Sequence, residues 1–276
     1  MRVMMRLVAM FLTGMLCMSH LSMADQSQPV SRMGKAAMHC SQILSLDGTE
    51  WLLGVDPHNV GRAENWYSSH PRDVQPTRVP WIIQGVFPGY HGVAWYWRDF
   101  TAPANPHPEG RYLLRLWMVD YLAEVWVNGV PVGRHEGGED MFVLDVTETI
   151  RAGETNHLAV RVLNPTYEPI DGIALEETPH RNKAYPISPG ADYNYGGITD
   201  SVELLIVPAV WVSDLYVKPD PRTGIITIQA TVQNTLKTET QTNLCFMAAP
   251  AMSGKTLAID SQQRNLQPGD NLLESK

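Results

Sequence analysis

The sequence is poor in three features, and each shortage speaks against a class of protein. It has only three cysteines, no two of them at metal-ligand spacing, which argues against a zinc module or a disulfide-rich scaffold. No apolar run reaches the roughly 20 residues that a membrane-spanning helix needs. Basic residues number 21 against 29 acidic ones and form no basic run, so nucleic acid is not an expected partner.

The first 24 residues have the layout of a cleavable secretory signal. Two arginines precede an apolar run over residues 7–18, and the small-residue pattern Ser22-Met23-Ala24 follows. We therefore expect cleavage near Ala24 and a soluble protein exported to the periplasm or the extracellular space. Cleavage there would leave two cysteines, Cys40 and Cys245, and whether they pair stays open.

Residues 25–45 are polar and mixed in composition, which predicts a linker. From Leu46 onward, short strand-like runs alternate with Gly, Pro, Asn and Asp, and no run has the pattern of an amphipathic helix. Turn signals recur at a spacing of roughly 8 to 12 residues, which is typical of an all-β sandwich or barrel. Asn128-Gly129 stands between two alternating apolar runs and predicts a β-hairpin with a type I′ turn.

A second unit is predicted to begin near Val210. Three further strand-like runs cover residues 211–217, 224–232 and 242–247. Their spacing favours an immunoglobulin-like sandwich, which usually takes about 100 residues. Fewer residues than that follow Val210, so we expect this sandwich, over 210–276, to be truncated.

Nine sequence blocks between Leu46 and Val207 follow one another in a specific order. They cover residues 46–51, 79–81, 92–100, 111–117, 120–129, 132–138, 142–147, 156–162 and 192–198. Through these blocks, residues 46–208 resemble the N-terminal sugar-binding domain of glycoside hydrolase family 2, which includes β-galactosidases, β-glucuronidases and β-mannosidases. The segment from Val212 resembles the immunoglobulin-like domain that follows in that family.

The resemblance implies a jelly-roll-like (galactose-binding-like) β-sandwich followed by a truncated immunoglobulin-like β-sandwich, with a β-linked glycoside as the partner. In the family, two catalytic glutamates lie in a TIM barrel, and one of them directly follows an Asn. This sequence has no Asn-Glu pair and no alternating strand-helix pattern, so we assign no catalytic residue, no cofactor and no metal. The catalytic barrel would be missing or separately encoded; the alternative is a free-standing carbohydrate-binding or adhesion module.

The resemblance also points to residues that would contact substrate. An Asp at the first position of block 192–198 bonds a sugar hydroxyl in the family, and Asp192 matches it. The alternative is that Asp192 only orders the glycine-rich turn. Asn194, in the same block, is a further candidate.

His135 and Glu136 follow the predicted hairpin and are candidates as well. Imidazole and carboxylate groups both hydrogen-bond hydroxyls, but the structural alternative is a hydrogen-bonded loop. Trp95, Tyr96 and Trp97 could form a sugar-stacking platform, although aromatics on a sandwich strand favour the core. The core is the expected place for Trp51, Trp117 and Trp126 on the same ground. Alternation predicts that Tyr96 points away from its two neighbours.

Overall fold

The computed structural model of the protein describes residues 11–13, 42–179, 194–250 and 253–276. Within these ranges it contains β-strands and two single-turn 3-10 helices and no α-helix, which confirms the all-β fold. The strands are Phe11–Thr13 (β1), Gln42–Ser45 (β2), Gly48–Val55 (β3), Gln75–Val79 (β4), Trp81–Ile82 (β5), Gly92–Thr101 (β6), Arg111–Leu116 (β7), Val119–Asp120 (β8), Leu122–Val127 (β9), Val130–Glu136 (β10), Phe142–Asp145 (β11), Thr155–Asn164 (β12), Gly197–Ile198 (β13), Val202–Val207 (β14), Val210–Asp220 (β15), Ile225–Asn234 (β16), Thr240–Ala248 (β17), Ala258–Leu266 (β18) and Gly269–Ser275 (β19).

One compact unit comprises Ile43–Asn105 and Arg111–Ile206. Its larger sheet has the strand order β10-β9-β12-β6-β3-β4, its second sheet the order β11-β7-β14-β2, and a small sheet the order β5-β13-β8. The main core contains alternate residues from both large sheets, such as Val160 and Leu204, each fully buried. This is the layering of a β-sandwich, in which two sheets bury one face each.

Alternation along β6 sends neighbouring aromatic side chains to opposite faces. Tyr96 lies in the core between the sheets, whereas Trp95 and Trp97 lie in a second apolar cluster on the other face of the six-stranded sheet. There Trp95 stacks on Trp126, with ring centroids 5.1 Å apart. The core interpretation is confirmed for these four residues but is wrong for Trp117, which is 38% exposed because it follows the end of β7.

The predicted hairpin joins β9 to β10. Asn128 and Gly129 have φ of 52° and 80°, so both central residues are left-handed and the type I′ turn is confirmed. The Asn128 Nδ2 donates to the carbonyl of Thr149 at 2.7 Å, which fixes the turn against the next loop. Strand β10 continues through Glu136, so His135 and Glu136 end a strand rather than form a loop, because both pair with β9.

The other unit includes Val207–Lys276. Its two three-stranded sheets have the orders β15-β16-β19 and β1-β17-β18, and their buried residues form one core that includes Val232, Leu244 and Leu266. Strands β15, β16 and β17 match the sequence expectation, whereas β18 and β19 were not predicted because they are largely polar. Cys245 is a free, half-buried thiol, and Cys40 lies outside the described residues.

Candidate functional site

The polar residues of interest lie at one end of the six-stranded sheet. Strand β12 ends at Asn164 opposite Gly92, where β6 begins, and β3 ends at Val55 opposite Ala94. Since neighbouring antiparallel strands run in opposite directions, the loops after β3, before β6 and after β12 meet at this end. The turn before β13 joins them, because the amide of Ile83 donates to the carbonyl of Gly196 at 2.8 Å.

A cluster of side-chain amides is buried at this end of the sheet. Asn164 is fully buried, and its Nδ2 donates to the Oδ1 of Asn194 at 2.6 Å. The Asn164 Oδ1 accepts from Gln84 Nε2 at 2.8 Å and from His91 Nδ1 at 2.9 Å. Asn194 Nδ2 in turn donates to the carbonyl of Pro165 at 2.6 Å. The cluster therefore connects four separate segments of the chain.

This amide cluster requires the glycines of the turn at 196–197. A Cβ on Gly196 would lie 2.4 Å from the Cβ of Asn164, and one on Gly197 would lie 2.6 Å from the hydroxyl of Tyr96. Gly197 also has φ of 134°, a conformation that side chains disfavour. A glycine-rich turn at this position is thus a packing requirement.

The structure describes only part of the predicted substrate-contact block. Asp192 lies outside the described residues. Asn194 is 7% exposed, and both polar atoms of its side chain are hydrogen-bonded within the protein. The geometry therefore gives Asn194 a structural task, and sugar contact by either residue stays a prediction.

His135 and Glu136 lie at the same end as the amide cluster. The amide of Tyr121, which follows β8, donates to the carbonyl of Leu163, the neighbour of Asn164 in sequence, and the Tyr121 hydroxyl donates to Glu136 Oε1 at 3.2 Å. Burial and the Glu136 carboxylate together raise the pKa of Tyr121. Glu136 is exposed, so a ligand could reach its carboxylate.

The His135 ring has a mainly packing role in this arrangement. It stacks on Phe142 with the ring centroids 4.4 Å apart and the planes inclined by 16°. A histidine that packs flat against an aromatic ring is held in one orientation. Sugar contact by His135 is not tested by this geometry and stays a prediction.

Sequence reasoning missed one acidic residue at this end. Asp120 is only 5% exposed, faces Gly197 across the small sheet, and would lie 2.5 Å from a Cβ on Gly138. Sequence reasoning also missed Gln84, His91 and Asn164. A polar residue directly before a proline, as in Asn164-Pro165, was the available sign of a strand end.

Amides and imidazoles of this kind can donate to and accept from hydroxyl groups, and carboxylates accept from them. Within the described ranges, no group of three or more His, Cys, Asp or Glu side chains could hold a metal ion. The same part of the chain has no helix with the length and hydropathy of a membrane span. The arrangement suits recognition of a polyhydroxyl ligand.

Comparison with known proteins agrees with this chemistry. The family model for the sugar binding domain of glycosyl hydrolases family 2 matches residues 77–208. A β-glucuronidase from Paenibacillus borealis is 27% identical over 189 residues, which are 65% of this chain and 31% of the relative. A β-glucuronidase from Canis lupus familiaris is 29% identical over 198 residues, 64% of this chain and 30% of the relative. The chain thus spans about a third of these curated relatives.

Solved structures show the same fold. Ruminococcus gnavus β-glucuronidase superposes with a TM-score of 0.60 at 21% identity, over 86% of this chain and 39% of that chain. The same enzyme in complex with D-glucaro 1,5-lactone gives a TM-score of 0.60 with the same coverage. The superposition extends well beyond the family-model match, so it includes strands of both units.

Proposed function

We propose that this protein supplies the non-catalytic, sugar-recognising part of a β-glucuronidase-type glycosidase, because residues 77–208 match the family model for the sugar binding domain of glycosyl hydrolases family 2. The match to the family model is the observation that carries the proposal. The relatives that share this region are β-glucuronidases, which favours a β-linked glucuronide over other glycosides.

Hydrolysis would require a catalytic barrel, which the described residues do not build. Retaining hydrolysis needs two carboxyl groups about 5 to 5.5 Å apart on a rigid scaffold. The strands and single turns of the described residues form two sandwich units, and none of them builds an α/β barrel. We propose that this domain forms one wall of a substrate pocket, with Asp192 as the sugar contact and Glu136 at the rim.

Turnover assays test the non-catalytic role. The purified chain is incubated with 4-nitrophenyl β-D-glucuronide, β-D-galactoside and β-D-mannoside, with a complete family 2 β-glucuronidase as the positive control. We expect no release of nitrophenol above the blank, because no positioned acid and nucleophile are present. Turnover that survives repurification and disappears when one carboxylate of this chain is replaced would overturn the proposal.

We also propose that the protein is exported. The charged start, the apolar run over 7–18 and the pattern Ser22-Met23-Ala24 support this. Cleavage after Ala24 would remove β1, which pairs with β17 in the full chain. Mass spectrometry of the protein recovered from cells should find Asp25 at the N-terminus; an intact Met1 would contradict export by this route.

A further inference from the structure

A cleft of about 360 Å³ opens at the end of the six-stranded sheet, beside the amide cluster. Its walls come from the loop after β3, the segment that enters β6 and the loop after β12. The polar lining includes His58, Asn59, Tyr90, His91 and Asp171. Small-molecule sites begin at about 300 Å³, so the cleft has room for one small ligand.

Two opposite walls of the cleft are fixed to each other through a buried arginine. The Arg161 side chain is fully buried, and its guanidinium donates to Asp171 Oδ2 at 2.5 Å, to Asn59 Oδ1 at 2.7 Å and to Glu124 Oε2 at 2.6 Å. The Asn59 Nδ2 also donates to Asp171 Oδ1 at 3.0 Å. Asn59 and Asp171 are therefore held in place before any ligand arrives.

Three residues that line the cleft have positive φ. Asn59 and Asp171 both have φ of 52°, and Gly92 has φ of 120°. Residues other than glycine rarely have positive φ, and those that do cluster at ligand sites. A Cβ on Gly92 would lie 3.3 Å from the hydroxyl of Tyr90, so a side chain there would enter the cleft.

Stability alone does not account for the buried arginine. Taking Arg161 and its carboxylate partners out of water is costly, and apolar residues of similar volume often stabilise a protein as well or better. Such a network does define the positions of the groups around it, because the planar guanidinium donates its hydrogen bonds in fixed directions. Its effect is to fix the positions of Asn59 and Asp171.

The cations at the cleft are paired, and the Asp56 carboxylate in its lining adds a negative charge, which limits the class of ligand. Arg161 and Arg62 are both paired with the carboxylates of Asp171 and Glu124, so neither cation is available to an anion such as phosphate. Burial works to raise the pKa of Asp171, but the two arginines hold it below its ordinary value. The cleft therefore favours a neutral ligand with many hydroxyl groups.

Two aromatic side chains offer acceptors to such a ligand. The Tyr90 hydroxyl donates to the carbonyl of Val93 at 2.7 Å, which leaves its lone pairs as acceptors. Burial raises the pKa of Tyr90 to about 12, so the hydroxyl stays protonated. His91 Nδ1 bonds Asn164 Oδ1, which can only accept, so Nε2 is the ring nitrogen left for a ligand.

We propose that this cleft is a saccharide site of the domain and that it binds one neutral pyranose unit. The inference rests on the proposed sugar-recognising function and names a place of contact for it. The paired arginines, the pre-fixed Asn59 and Asp171 and the hydroxyl acceptors carry it.

Backbone amide NMR of the ¹⁵N-labelled full chain tests this site. Methyl β-D-glucopyranoside and methyl β-D-galactopyranoside are titrated, with methyl β-D-glucuronide in parallel. We expect saturable shifts at the amides of His58, His91 and Asp171 with a neutral sugar. His91→Asn should weaken this binding about fivefold, since the new amide can still donate to Asn164 but lacks the Nε2 acceptor. His58→Ala should weaken it by a similar factor.

His157→Ala is the matched control. His157 lies near the other end of β12, seven residues and about 23 Å from Asn164, and bonds Asp99 instead. The His157→Ala variant should bind the sugars with the affinity of the wild type. Equal binding by the cleft variants and the wild type, or no shifts at the cleft, would overturn the saccharide site. Shifts confined to residues 194–197 would show that the sugar binds at the glycine-rich turn. That result would overturn the saccharide site in the cleft but not the proposed function.

Discussion

Asn164 donates its side-chain amide to the Oδ1 of Asn194 over 2.6 Å, in the buried end of the sandwich. The bond joins the end of strand β12 to the segment that leads into β13. Asn194 comes two residues after Asp192, the proposed sugar contact. The amide cluster thus anchors the chain directly beside the residue whose position the proposed function depends on.

Asn164→Ala should lower the free energy of unfolding by about 2 to 3 kcal/mol. The change leaves the buried side-chain amide of Asn194 and the half-buried one of Gln84 each without one partner, and an unsatisfied buried polar group costs about 1 to 3 kcal/mol. Urea unfolding measures the loss. Asn243→Ala, an exposed asparagine on β17, is the control and should change stability little. Similar small effects for both variants would show that the cluster does not hold this end together.

Arg161→Met should destabilise the domain by about 3 kcal/mol, because removing the buried partner leaves Glu124 and Asp171 with only the half-exposed Arg62 as a cation. Arg111→Met is the matched control. The Arg111 side chain is 26% exposed and pairs with the half-exposed Asp145, so its loss should cost about 1 kcal/mol or less. Thermal or urea unfolding compares the two; equal losses would contradict the role given to Arg161.

Stability should fall in acid as Glu203 becomes protonated. Burial works to raise the pKa of Glu203, but the Trp117 N–H and the Arg115 guanidinium hold it below its ordinary value of 4.5. A carboxyl whose pKa is lower in the folded state stabilises the protein above the unfolded pKa and loses this contribution as pH falls through the folded pKa. Unfolding should therefore become easier below about pH 4.5.

Glu203→Gln isolates that contribution. The variant should be less stable than the wild type at pH 7, and its stability should fall less steeply between pH 4.5 and lower pH. Glu148→Gln, whose side chain is 87% exposed, is the control and should follow the wild-type profile. A Glu203→Gln profile parallel to the wild type would show that this carboxyl does not govern the acid response.

The sequence predicted the sandwich because short strand-like runs recur between turns that have diagnostic residues. Asn128-Gly129 is the clearest case, since few other pairs take positive φ at both positions. Strands β18 and β19 escaped prediction because few of their residues are buried, so they lack an apolar alternation. Trp117 was misassigned because hydrophobicity alone does not show that a residue lies one position beyond the end of a strand.

The site was predictable only where a motif marked it. The block 192–198 pointed to the correct end of the sandwich, since Asn194 and the glycine turn lie in the buried amide cluster. The partners of Asn164 could not be foreseen, because Gln84 and His91 are distant from it in sequence and meet it only where the strand ends come together. The same holds for the Arg161 network, whose members come from three separate segments.

Asp192→Asn should leave the melting temperature nearly unchanged, because a carboxylate directed at an absent substrate does not support the fold. If Asp192 instead ordered the glycine-rich turn, its loss would lower the melting temperature. Differential scanning calorimetry of wild type and variant distinguishes the two roles. A drop of many degrees would exclude the substrate-contact role.

Saturation-transfer difference NMR of methyl β-D-glucuronide with the intact chain tests the central claim, that this protein recognises a saccharide through only part of a binding pocket. The account predicts transfer to the sugar protons with a Kd in the millimolar range, worth about 4 kcal/mol or less. It also predicts a severalfold loss of affinity in Asp192→Asn. A micromolar Kd would contradict the account and indicate a free-standing carbohydrate-binding module, and no transfer at all would contradict saccharide recognition itself.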